Sequence, residues 1–185
     1  MMSAISDYLI VTYLGGVLLI AAIIDIRIQK IPNLLTFPAA ALALIYHCFT
    51  NGISGFLFSI GGLASGLALL LIPYLLGGMG AGDAKLMGVV GGTIGAKGVF
   101  FAFLFTAVAG GVYALALILY YRRHFRGFFK KQFAKLLALI ITREYIPESA
   151  KAHETAPRLR YALAIAFGTG TYIVLNMTKP DFFII

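Results

Sequence analysis

Long apolar runs alternate with short polar breaks along this chain, and the run lengths set the first expectation. Tyr8 to Ile24 is unbroken apolar sequence, closed by Asp25, Arg27 and Lys30. Leu34 to Phe49, Phe56 to Leu76, Gly98 to Tyr121 and Leu159 to Leu175 repeat the pattern. A bilayer core of about 30 Å takes roughly 20 apolar residues at 1.5 Å per residue, so such runs predict membrane-spanning helices. Ala84 to about Gly95 is apolar but too short to span alone, and its Gly88, Gly91, Gly92 and Gly95 would weaken an isolated helix. Other helices must press against it. The pattern therefore predicts an all-α polytopic membrane protein of six transmembrane helices, the fourth short, in one membrane-embedded domain over residues 1–185.

The breaks carry their own chemistry. Ile31-Pro32-Asn33 predicts a short turn between helices, because proline drives the preceding residue away from helix and suits the first turn of the next one. Asn51-Gly52 to Ser54-Gly55 predicts a polar turn, and Gly62-x-x-x-Gly66 puts two glycines on one helix face, where a neighbour could approach. Residues 122 to 160 form the one extended polar region. Within it Phe129, Phe133, Leu136, Leu137 and Ile140 recur at helical spacing against Lys130, Lys131 and Lys135. That predicts an amphipathic helix on an anionic membrane surface, in a cytoplasmic loop 122–158.

Composition strengthens the membrane reading. Hydrophobic residues make up 61% of the chain and charged residues 12%, against about 45–50% and 25% in soluble domains. Too little polar sequence is left for a separate soluble domain. The first apolar run lacks a small-residue cleavage site and predicts a transmembrane helix rather than a removed signal. A single cysteine, Cys48, excludes an internal disulfide, and no Cys-x-x-Cys pair offers zinc ligands. His47 and Cys48 are expected to pack between helices. No metal and no cofactor is expected.

The net charge of +8 does not point to nucleic acid, since the basic residues accompany an apolar stripe. Its distribution orients the chain instead. If six segments alternate, Arg27, Lys30, Lys85 and the ten Lys and Arg between Arg122 and Arg160 share one side, leaving Lys97 and Lys179 opposite. By the positive-inside rule that side is cytoplasmic, in a plasma membrane, with both termini outside.

Asp25 and Asp83 then sit at the same cytoplasmic rim. Carboxylates in apolar segments are costly and are functional candidates for that reason. Asp83 lies in Gly77-Gly78-Met-Gly80-Ala-Gly82-Asp83-Ala-Lys85-Leu86, where the glycines strip side chains from the approach to the carboxylate and allow φ > 0. Two carboxyl groups brought together cannot both ionise easily, so one can act as base while the other keeps a proton. Such a pair could activate water and protonate a leaving amine. The competing readings are helix caps or solvated ion pairs for the two aspartates, a proton relay in a small transporter or channel, and a non-catalytic scaffold.

Asp25-Ile-Arg-Ile-Gln-Lys-Ile31-Pro32-Asn33-Leu-Leu-Thr and Gly78-Met-Gly80-Ala-Gly82-Asp83-Ala-Lys85-Leu86 resemble, in this order, the two signature segments of the type IV prepilin peptidases, which are Gly-x-Gly-Asp intramembrane aspartyl proteases. The resemblance implies that Asp25 and Asp83 are the catalytic pair. It further implies Gly78, Gly80, Gly82 and Lys85 as the active-site loop and Pro32 and Asn33 as a supporting turn. The implied reaction removes the short basic leader of a prepilin or pseudopilin at the cytoplasmic face. Long members carry two Cys-x-x-Cys pairs and methylate the new N-terminus. With Asp25 so early and one cysteine, this chain resembles the short form found in tight-adherence (Flp) pilus systems, CpaA or TadV, and N-methyltransferase activity is not expected. The sequence identifies neither the pilin nor the oligomeric state.

Overall fold

The structure, a computed structural model, describes residues 2–76, 78–120 and 161–178. It is all-helical there, with α1 over Met2–Ile28, α2 over Asn33–Leu75, α3 over Ala81–Tyr120 and α4 over Tyr161–Thr178. Each contains a stretch long and apolar enough to cross a membrane. The amphipathic segment expected within 122–158 lies outside the described residues.

Two helices are too long for one crossing. The 43 residues of α2 would extend about 65 Å if straight, roughly twice a bilayer core. Gly52 breaks α2 with φ 59° and ψ −140°, a conformation that only glycine adopts cheaply. The arms on either side, 33–51 and 53–75, fold back on each other. A Cβ on Gly55 would run into the backbone carbonyl of His47, although eight residues of straight helix would separate the two by about 12 Å. The polar turn expected from Asn51 to Gly55 thus contracts to a single non-helical residue. Gly95, with φ 79° and ψ 172°, breaks α3 into arms 81–94 and 96–120.

The short arm 81–94 is the centre of the assembly. Residues Leu86 to Thr93 are all buried. The second arm of α2 meets it along Ser59, Gly62 and Gly66, which are buried and recur at the spacing of one helix face. A Cβ on Gly62 would strike the carbonyl of Gly91, and one on Gly91 the carbonyl of Gly62. Gly66 meets Met87 and Gly88 in the same way. Ser59 Oγ donates to the Gly92 carbonyl at 2.7 Å. The glycines that looked unfavourable for a helix are the condition for backbone-to-backbone packing here. On the far side of α3, Gly168 of α4 lies against Thr106. Helix α1 closes mainly on α4 and binds α2 through Tyr13, whose hydroxyl donates to the Ala39 carbonyl at 2.7 Å.

Candidate active site

Helix α1 continues one turn past the apolar run, so that Asp25 and Arg27 lie inside it rather than beyond its end. The reason is local. Gln29 adopts φ 56°, and its N–H donates to the Asp25 carbonyl at 3.0 Å, closing the last turn in the left-handed conformation usual after a helix. The buried face of α1 runs through Leu14, Leu18 and Ala21, and the next step of the same spacing is Asp25. Its side chain is 6% exposed.

Asp83 sits in the first turn of α3, one turn earlier than a helix beginning at Ala84 would give. The Gly80 N–H donates to Asp83 Oδ2 at 3.1 Å while the Asp83 N–H donates to the Gly80 carbonyl at 3.1 Å, so the loop and the helix start hold each other. Asp83 shares its face with Met87 and Val90 and is 8% exposed. The carboxyl groups of Asp25 and Asp83 act on each other electrostatically across the gap between α1 and α3.

The two motif segments meet directly. A Cβ on Gly82 would lie 2.9 Å from the Cβ of Ile31 and 3.2 Å from its carbonyl oxygen. Lys85 Nζ donates to Asn33 Oδ1 at 2.7 Å and lies 5.2 Å from the centre of the Phe37 ring, a cation–aromatic contact. Pro32 precedes α2 in extended conformation, and its carbonyl accepts the Leu35 N–H at 3.0 Å.

One expectation about the glycines is corrected. Among the described glycines only Gly52 and Gly95 have positive φ, so Gly78, Gly80 and Gly82 are not needed for a left-handed turn. Gly82 matters for room against Ile31. Gly78 would meet only the Pro73 carbonyl, at 3.5 Å. Cys48 is exposed rather than packed between helices.

Tyr161, at the start of α4, was not singled out in the sequence. Its hydroxyl lies against Gly110 of α3, and it too is within electrostatic reach of Asp83. No spacing in the sequence connects it to either aspartate; only the approach of α4 does. Among the described residues, no three His, Cys, Asp or Glu side chains are grouped to hold a metal ion.

Residues 12–115 match the type IV leader peptidase family, a span that contains both aspartates and every contact between the two motif segments. The chain belongs to this family. A similar protein is the prepilin leader peptidase/N-methyltransferase of Bacillus subtilis (strain 168), 34% identical over 109 residues. The match takes in 56% of this chain and 42% of that protein, so the chain spans less than half the length of its relative. No solved structure gives a significant match. The family assignment agrees with the resemblance carried by the two motifs. It does not extend to the tight-adherence subgroup.

Proposed function

We propose that this chain is an intramembrane aspartyl endopeptidase that removes the leader peptide of type IV, Flp-like prepilins or pseudopilins. The observation that carries the reading is a pair of buried aspartates within electrostatic reach of each other, next to the contacts that join the Ile31-Pro32-Asn33 turn to the Gly80-to-Lys85 segment. Family membership supports the substrate class.

In this mechanism one carboxylate takes a proton from water as its oxygen attacks the scissile carbonyl carbon. The other carboxyl group, protonated, donates to the carbonyl oxygen. The tetrahedral intermediate then expels the amine as the C–N bond breaks, and a proton passes from the pair to the leaving nitrogen. No nucleophilic side chain is required.

The breaks at Gly52 and Gly95 suit six membrane passes. In that arrangement both termini are outside, the aspartates face the cytoplasm, and the basic residues of 122–158 rest on anionic lipid. Only the peptidase part of the relative's activities is proposed for this chain.

The test uses the purified protein in liposomes with a candidate prepilin, the new N-terminus being mapped by mass spectrometry. Cleavage at a single leader junction is expected. Asp25→Asn and Asp83→Asn should each reduce it by more than about a hundredfold, because a pair that acts as a unit fails when either member is lost. A variant retaining near-normal cleavage removes that aspartate from the pair. Proton flux through the unmodified protein without cleavage of any prepilin would favour a transporter instead.

A further inference from the structure

His47 stands at the opposite end of arm 81–94 from Asp83, on the arm of α2 that begins at Asn33. It continues the buried stripe Thr36, Ala39 and Ala43, which faces the interior of the bundle. Its Nε2 is 3.0 Å from the carbonyl oxygen of Thr93. A carbonyl oxygen can only accept, so Nε2 carries the hydrogen in this contact.

The position of that carbonyl explains the contact. The last four carbonyls of any helix lack intrahelical donors, and the break at Gly95 creates such an end where residues 91–93 are buried and their carbonyls need donors from the protein. Two of these groups are met by side chains from the two arms of α2. Ser59 supplies the Gly92 carbonyl at 2.7 Å, and His47 supplies the Thr93 carbonyl. The break itself is held by an aromatic neighbour. The Phe58 ring occupies the space that a side chain on Gly95 would need, and the His47 ring meets Phe58 edge-on with centroids 5.1 Å apart and planes at 61°.

Arm 81–94 is therefore tied to arm 33–51 at both ends, by Lys85 to Asn33 at one and by Thr93 to His47 at the other. Arm 53–75 holds the same arm along its length through Ser59, Gly62 and Gly66, and the two polar ties to arm 33–51 set how it lies against that second neighbour, with Asp83 in its first turn moving with it.

We propose that His47 is a positioning residue for Asp83: by capping the broken end of arm 81–94 it fixes the depth at which the Asp83 carboxyl meets Asp25. The inference rests on the reading of these aspartates as the reacting pair. His47 touches neither carboxyl group and acts only through the backbone of the arm.

Two substitutions separate its roles. His47→Phe keeps a ring against Phe58 but cannot donate; His47→Gln loses the ring but retains an N–H donor. Each variant, in full-length protein in liposomes, is assayed by hydrogen exchange over 81–94 and by prepilin cleavage with kcat and KM resolved. His47→Phe should exchange faster across the arm and lose about tenfold in kcat with KM little changed, since small displacements of a reacting group cost rate rather than binding. His47→Gln should recover most of both. The proposal is overturned if His47→Phe leaves exchange or kcat unchanged, or if His47→Gln falls as far as His47→Phe. Asp83→Asn run alongside separates the two readings. If that variant still cleaves, the peptidase assignment of Asp83 fails, and the clamp on the arm is then judged by the exchange result alone.

Discussion

Lys85 Nζ donates to Asn33 Oδ1 at 2.7 Å, joining residues 52 positions apart in the chain and linking the two segments that carry the aspartates. The same ammonium lies over the Phe37 ring, so the cation is shared between an amide oxygen and an aromatic face. Lys85→Met should lower kcat/KM by about tenfold, and Asn33→Ala by a similar factor. The double variant should be little worse than either single one, because both remove the same contact. Cleavage kinetics of the four proteins decide this: losses that multiply would show that the two side chains act independently.

Gly82 packs against Ile31 where those segments meet. Gly82→Ala puts a Cβ 2.9 Å from that of Ile31, so the turn after α1 must move away from the start of α3. Activity should fall by at least about tenfold, and Ile31→Ala introduced with it should restore part of the loss by making room. Gly78→Ala, with an ordinary 3.5 Å contact and no positive φ, should cleave normally. Equal damage at both glycines would refute the packing account.

The seam between α2 and α3 predicts a stability contrast. Gly62→Ala should cost about 1–3 kcal/mol, seen as a lower Tm, because backbone rather than a movable side chain lies in the way. Gly61→Ala, one residue away with nothing within 4 Å, should be neutral or raise stability by about 0.5–1 kcal/mol through better helix propensity. Thermal unfolding in the same lipid compares them directly, and a destabilised Gly61→Ala would contradict the assigned face.

Gln29 holds φ 56° without being glycine. Gln29→Gly should leave the Tm unchanged or raise it slightly. Gln29→Val should lower stability by about 1–2 kcal/mol, since a β-branched side chain tolerates this backbone poorly. If valine is accepted without a shift in Tm, the turn after α1 does not need its left-handed residue.

Much of the architecture could be read directly from the sequence. Apolar runs of spanning length and their polar ends follow from the free energy of transferring side chains into lipid, a local property that needs no knowledge of neighbours. The two aspartates were visible for the same reason: charge in apolar sequence is conspicuous wherever it occurs. The need for partners around Gly88, Gly91 and Gly92 was also legible, since glycine is a poor helix former on its own.

Gly62-x-x-x-Gly66 was legible as a face open to a neighbour, but that it would meet those glycines was not. The Gly62–Gly91 contact depends on the crossing of two helices, as does the use of Gly82 for room against Ile31 rather than for a left-handed turn. His47 was legible as a residue packed between helices but its partner was not, and Tyr161 carried no local signal, because one caps a carbonyl freed by a break 48 residues away and the other reaches Asp83 only through the packing of α4. Sequence determined where helices lie and where charge sits, because these follow from each residue's own transfer energy and backbone preference. Tertiary structure decided which small residues become contacts and which polar groups meet, because close approach depends on two surfaces at once.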